Sequence, residues 1–257
     1  MYRRALQGFE NALGPEHTST LNTVNNLGLL YRGQGKLEES EKMYQRALQG
    51  YEKALGPDHH DTLNTVNDLG ILYRDQGKLE EAEKMYQRAL QGYEKALGPD
   101  HHDTLNTVYN LGLLYRDQGK LEEAEEMYRR ALQGYKKALG PEHASIFMTV
   151  NNLGLLYRNQ GKLEEAEKMY RRALQGYEKA LGPEHTSTLD TVHNLANLYD
   201  DQGRLDEAEE MYRRALQGYE KALGPQHPST LSTVNNLGAL YRTRASWSRG
   251  GQKVCRR

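Results

Sequence analysis

Residues 56–97 read G-P-D-H-H-D-T-L-N-T-V-N-D-L-G-I-L-Y-R-D-Q-G-K-L-E-E-A-E-K-M-Y-Q-R-A-L-Q-G-Y-E-K-A-L, and residues 98–139 say nearly the same thing again. The string A-L-G-P-[ED]-H ends at His17, His59, His101, His143 and His185, and a Gln variant of it ends at His227, a period of 42 residues. A period of roughly 20 to 50 residues marks a solenoid or array in which each repeat packs on its neighbours. A residue present once per repeat is therefore a stacking residue first. Most of this sequence reports fold, and only the positions that vary between repeats report partners.

Each repeat holds two helical patterns. Ser or Asp recurs at Ser19, Asp61, Asp103, Ser145, Ser187 and Ser229, which predicts an N-cap whose oxygen accepts from the first turn. A first helix of about 15 residues then runs to about Arg74, with Val66, Leu69, Gly70 and Tyr73 on one apolar stripe. Gln76-Gly77 breaks it. A second helix of about 19 residues starts near Leu79, with Glu80 and Glu81 at its positive end. Its apolar face is Leu79, Ala82, Tyr86, Ala89, Leu90, Tyr93 and Leu97, and Gly98-Pro99 ends it, with Gly98 predicted in the left-handed conformation. Gly8, Gly50, Gly92, Gly134, Gly176 and Gly218 fall inside the second helix. Glycine there costs about 1 kcal/mol relative to Ala, so its recurrence predicts a close helix approach.

Composition narrows the function classes. The 34 basic and 35 acidic residues nearly cancel, which argues against a general binder of nucleic acid or of acidic membrane. Cys255 is the single cysteine, so no disulfide framework or cysteine-based metal site forms within one chain. No apolar stretch is long enough to span a membrane and no secretory leader is recognisable, so a reducing, cytoplasmic setting is expected. A hydrophobic content of 37% suits a single layer of amphipathic helices better than a thick core.

Leu27-Gly28, Tyr31, Ser40 (Ala82 in the next repeat), Tyr44 and Ala47 follow the L-G, Y, A, F/Y and A spacing of the tetratricopeptide repeat, which the chain resembles from residue 1 to about 243. The 42-residue length and the L-G-P-x-H connector resemble the kinesin light chain subclass. The near-identity of the repeats resembles the C-terminal arrays of fungal NACHT and NB-ARC receptors. The resemblance implies an all-α, right-handed solenoid of antiparallel helix pairs. It implies no enzymatic activity and no cofactor, and a groove that binds a protein or peptide.

Residues 1–13 match the second helix of an incomplete repeat, 18–224 make five complete repeats, and 229–242 match the first helix of a truncated sixth. No capping element is recognisable, so the chain reads as a slice of a longer array, with open ends able to associate head to tail. Residues 243–257 leave the pattern. Either they are a disordered basic tail or they follow a frameshift, since GGC AAG CTG G, which encodes Gly-Lys-Leu, reads one base later as Ala245-Ser246-Trp247.

Motifs suggestive of chemistry have plainer readings. G-Q-G-K-L lacks the spacing of a phosphate loop and has no Ser or Thr after its Lys. The pairs His59-His60 and His101-His102 lie in connectors with no ligand set at metal spacing, so packing or capping is expected of them and no metal. Glu80 with Lys84 and Glu164 with Lys168 are i,i+4 pairs on a solvated face.

The informative face is the side of each first helix opposite the stripe. With Leu21 as position one, position 5 is Asn25, Asn67, Tyr109, Asn151, His193 and Asn235. Position 6 is Asn26, Asp68, Asn110, Asn152, Asn194 and Asn236, and position 12 is Arg32, Arg74, Arg116, Arg158, Asp200 and Arg242. Asn amides can donate to and accept from an extended backbone, and a guanidinium can fork onto a carboxylate. The resemblance supports a peptide groove, since related Asn residues hold peptide main chain in kinesin-light-chain-like domains. The alternative is that these side chains solvate the surface and bridge neighbouring helices. The fifth repeat differs most, with Asp190, His193, Ala196, Asn197 and Asp200 against unchanged Val192, Leu195 and Tyr199. It is the expected specificity point, with an acidic subsite at Asp190, Asp200 and Asp201, although Asp200 could instead pair with Arg158. A non-catalytic scaffold is the reading favoured here. A sensing or inhibitory array of a NACHT or NB-ARC ATPase and a self-stacking structural array are the alternatives.

Overall fold

A computed structural model describes residues 1–254, with side chains described through Ala245. The tail expected from residue 243 therefore falls, beyond Ala245, outside the described side chains. Among the described residues there are twelve helices and no strand: α1 (Tyr2–Leu13), α2 (Thr18–Gly33), α3 (Leu37–Leu55), α4 (His60–Asp75), α5 (Leu79–Leu97), α6 (His102–Asp117), α7 (Leu121–Leu139), α8 (Ala144–Asn159), α9 (Leu163–Leu181), α10 (Thr186–Asp201), α11 (Leu205–Leu223) and α12 (Pro228–Val254). They group into two compact units, Met1–Ala138 and Leu139–Arg257. In the first unit each helix from α1 to α6 packs on the next in sequence where contacts are described, and α2, α4 and α6 also touch in series. In the second, α8 to α12 follow the same rule, with α8, α10 and α12 in series.

The first helices start two residues earlier than the Ser/Asp signature predicts. The N-cap is the connector histidine: His59 Nδ1 accepts from the Asp61 N–H at 3.2 Å, and His17, His101, His143 and His185 cap α2, α6, α8 and α10 in the same way. Asp61 and its counterparts thus sit inside the first turn, where their charge or dipole still suits the positive helix end. The helices are accordingly 16 residues long, and the second helices 19. The connector is fixed at its other end by Thr62 Oγ1, which donates to the Gly56 carbonyl at 2.8 Å, a bond repeated by Thr20, Thr104, Thr188 and Thr230. Gly98 is not left-handed helical. Its φ of 90° with ψ of 165° is an extended conformation that only glycine adopts freely.

The Q-G-K turn is a Schellman motif. Gly77, at φ 74°, donates to the Arg74 carbonyl, and Lys78 N–H reaches back to the Tyr73 carbonyl at 2.8 Å. Lys78 Nζ then lies 3.1 Å from Glu41 of the preceding repeat, as Lys120 does from Glu83. The sequence that superficially suggests a phosphate loop is a helix stop followed by a tether between repeats.

The recurrent glycines are contact points, as their cost predicted. A Cβ on Gly92 would lie 2.4 Å from Leu63 Cδ2, and one on Gly50 or Gly134 would meet Leu21 or Leu105 as closely. The first helix reciprocates: a Cβ on Gly70 would lie 2.7 Å from the Tyr86 ring. The pairs α2–α3, α4–α5 and α6–α7 are thus locked twice, a leucine of the first helix seated on a glycine of the second and a tyrosine of the second on a glycine of the first. In α8 the leucine is Phe147, and a Cβ on Gly176 would fall 2.1–2.4 Å from three atoms of that ring. Gly8 has nothing within 4 Å of its Cβ position. Gly8→Ala should therefore stabilise α1 by about 0.5–1 kcal/mol through helix propensity. Gly176→Ala should lose on the order of 1–2 kcal/mol, because overpacking against a rigid ring exceeds that gain. Urea denaturation followed by circular dichroism separates the two signs.

Candidate functional site

The face opposite the Val-Leu-Tyr stripe is half-exposed at most of the expected positions, including Asn67, Asp68, Arg74, Asn151, Asn152, Arg158, His193 and Asn194. Tyr109 is the exception. It is buried against the Tyr128 ring, with centroids 5.8 Å apart, so an aromatic at position 5 packs inward where Asn does not.

The Asn rows bridge neighbouring first helices. Asn67 Oδ1 accepts from Asn110 Nδ2 at 3.3 Å and from Thr107 Oγ1 at 3.4 Å. Asn151 Oδ1 accepts from Asn194 Nδ2 at 3.3 Å. Asn25 accepts from Thr65 and donates to Asp68. Position 5 of one repeat therefore meets positions 3 and 6 of the next. The Thr at position 3 was not singled out by the sequence, although its presence in every repeat was visible. The oxygens of Asn67 and Asn151 are consumed by these bonds, which fixes the orientation of each amide. Their N–H groups donate to nothing among the described residues.

The Arg row is paired rather than free. Arg32 Nε lies 2.8 Å from Asp75, Arg74 3.6 Å from Asp117, and Arg158 2.5 Å from Asp201, each an acid at position 13 of the following first helix. Arg116 engages Asp117 on its own helix at 2.9 Å. The i,i+4 pairs that form are Arg129–Glu125, Arg171–Glu167 and Arg213–Glu209 rather than those with Lys84 or Lys168.

The fifth repeat is largely an internal adjustment. Arg158 pairs with Asp201, not with Asp200. Asp190 accepts from the Tyr219 hydroxyl at 2.5 Å, the role Asn106 plays for Tyr135. Asn197 Oδ1 accepts from the Tyr212 hydroxyl at 2.6 Å and from Asn236 at 3.0 Å. The equivalent hydroxyls of Tyr86 and Tyr128 are buried without a partner. Ala196 fills the glycine slot beneath Tyr212, and Asn197 receives the hydroxyl of that ring. His193 is held by Thr233 and Asn236, and its burial lowers its pKa, with Arg158 acting the same way and Asp190 opposing. Its charge change thus lies at lower pH than that of an ordinary imidazole. At Asp200 burial and then the Asp201 carboxylate raise the pKa against the pull of Arg158. No group of three or more His, Cys, Asp or Glu side chains is assembled for a metal among the described residues. No described helix is long and apolar enough to cross a membrane.

Asp68 stands where the five other repeats place Asn within the same row, and burial pushes its pKa up to about 6 although Asn25 and Arg32 pull it down. A carboxyl whose pKa is higher folded than unfolded holds its proton longer in the native state. Its contribution favours folding near pH 4 and is lost as pH rises through about 6. Asp68→Asn should raise stability at pH 7 by on the order of 1–2 kcal/mol, with the difference fading toward pH 4. Chemical denaturation of both proteins at the two pH values measures it.

The tetratricopeptide repeat profile matches residues 1–53, 19–95, 67–137, 145–221 and 191–248. Among solved structures, BtubC (BKLC) from P. vanneervenii is 22% identical, covers 88% of this chain and 89% of its own, and superposes with a TM-score of 0.71. A protein from Podosopora anserina, described as a kinesin light chain with nearly identical TPR-like repeats, is 25% identical over 80% of this chain and 98% of its own, with a TM-score of 0.66. The apo form of RapI shares the fold at 15% identity and a TM-score of 0.68, covering 89% of this chain and 85% of its own. No curated protein matches the chain. The chain belongs to the tetratricopeptide repeat family, a non-catalytic helical-repeat fold that generally serves as a scaffold for protein–protein interaction.

Proposed function

We propose that the chain is a cytoplasmic scaffold that holds an extended peptide segment of a partner protein on the half-exposed face of its first helices. The observation that carries this reading is the orientation of Asn67 and Asn151. Their carbonyl oxygens are bound by the next repeat, so their N–H donors remain for a ligand. A peptide main chain offers carbonyl acceptors at regular spacing, which suits donors repeated once per repeat. The paired arginines at position 12 add a mixed-charge edge. Arg32 and Arg158 are already neutralised by Asp75 and Asp201, so they favour partners that can exchange into an existing pair over purely acidic ones. Affinity would then depend moderately on salt.

The test is selection from a random-peptide display library on the intact chain, followed by binding to Asn67→Ala and Asn151→Ala. Each substitution should weaken the selected peptides about tenfold, the loss of a main-chain hydrogen bond of about 1.4 kcal/mol, with little change in melting temperature. Unchanged affinity in both variants would show that this face does not hold the peptide.

A further inference from the structure

Asp68 reverses the polarity of the row in which it stands. Where two Asn meet across consecutive first helices, the later one donates: Asn110 Nδ2 to Asn67 Oδ1 and Asn194 Nδ2 to Asn151 Oδ1, both at 3.3 Å. An ionised carboxylate cannot donate. Between α2 and α4 the bond therefore runs the other way, from Asn25 Nδ2 to Asp68 Oδ2 at 3.4 Å, while Asn25 Oδ1 accepts from Thr65 Oγ1. The amide that elsewhere keeps its N–H for a ligand here directs it to Asp68, and this stretch of the face presents carboxylate oxygens instead. Asp68 makes no ion pair among the described residues. The arginines of the same edge are engaged by other acids, Arg32 by Asp75 and Arg74 by Asp117. A carboxylate largely withdrawn from water destabilises the fold unless a cation meets it, and the five other repeats have Asn there.

We propose that Asp68 is the subsite for a lysine or arginine side chain of the bound peptide, at the point where that peptide passes Asn67. This rests on the peptide-binding reading and adds the chemical class of one ligand residue. An ammonium or guanidinium offers donors only, which suits a place where the face offers acceptors, and its charge supplies the pairing that Asp68 lacks. A main-chain N–H would fill the same place but leave the carboxylate charge uncompensated.

Such binding opposes protonation. The unliganded carboxyl titrates at about 6, and a bound cation holds it ionised, so affinity is lost as pH falls through that value. The groups that face Asp68 from the surrounding helices are Arg32 of α2, Tyr44 of α3, and Tyr86 and Tyr93 of α5. Burial raises all three tyrosines above the ordinary phenol range, so they stay neutral throughout. On α6, Asp103 is turned to His60 and Arg116 to Asp117.

The test uses peptides selected from a random display library on the intact chain at about pH 7.5, where the Asp68 carboxyl is ionised. Lysine or arginine should be enriched at one register position. Replacing that residue by norleucine should weaken binding to the parent chain about tenfold and leave binding to Asp68→Asn unchanged. Between about pH 7.5 and about pH 5 the parent chain should lose about tenfold in affinity for the basic peptide, and Asp68→Asn should not. Because Asp68→Asn is expected to stabilise the fold at neutral pH, weaker binding by this variant cannot come from unfolding. Peptides that weaken with Asn67→Ala but carry no preferred basic residue overturn the Asp68 subsite and leave the peptide face, as does a basic residue whose replacement costs the same on both chains. Basic peptides that depend on Asp68 yet ignore Asn67→Ala and Asn151→Ala support the subsite and overturn the amide reading. A library that returns no binder overturns both.

Discussion

A leucine methyl resting on a glycine, and a tyrosine ring resting on a second glycine, hold the helix pairs α2–α3, α4–α5 and α6–α7 at their spacing. Leu63 on Gly92 and Tyr86 on Gly70 are one instance, and the remainder of the repeat is arranged around this double seat. Because both seats lie within one repeat, a side chain added to either glycine must displace a fully buried partner. The interior has little room to relax: Leu63, Val66, Ala89 and Tyr93 form one buried cluster, and Ala82, Tyr86, Leu111 and Leu114 carry the packing on to the next helix.

With apolar contacts fixed in this way, polar side chains on the surface register one repeat against the next. Glu41 shows how tightly. Its burial would raise its pKa, yet hydrogen bonds from Gln76 and Lys78 bring it below the ordinary carboxylate range. Tyr73 approaches the same carboxylate, so three groups of one repeat converge on one acid of the preceding repeat. Individually, exposed ion pairs contribute little, typically below about 1 kcal/mol. Repeated at the same place in successive repeats, they fix the angular relation between neighbours more than they add stability.

The fifth repeat shows how function and packing compete for the same positions. Asp190, His193 and Asn197 look like a reworked binding face, but each is bound to Tyr219, Thr233 or Tyr212 of its own unit. Asn197 gives Tyr212 the acceptor that Tyr86 and Tyr128 lack, and Ala196 occupies the slot beneath the same ring. Only Asp200 alters the character of the exposed edge without an evident internal reason.

The sequence alone determined the repeat, the two helices in it, their apolar faces and the purpose of the recurrent glycines. These follow from periodicity and from the cost of glycine in a helix, both of which are local properties of the chain. The sequence also located the variable face, since comparison among repeats separates Val24 or Leu27 from Asn25 or Arg32. The tertiary structure decided the partners. His59 rather than Asp61 caps α4 because capping depends on backbone dihedrals at the connector, where His59 is extended at φ −68° and ψ 145°. Arg158 chooses Asp201 over Asp200, and Tyr109 turns inward where Asn67 does not, because such choices depend on which atoms of a neighbouring helix come within bonding distance. Side-chain reach across a helix–helix contact is set by packing, and no pattern along one chain encodes it.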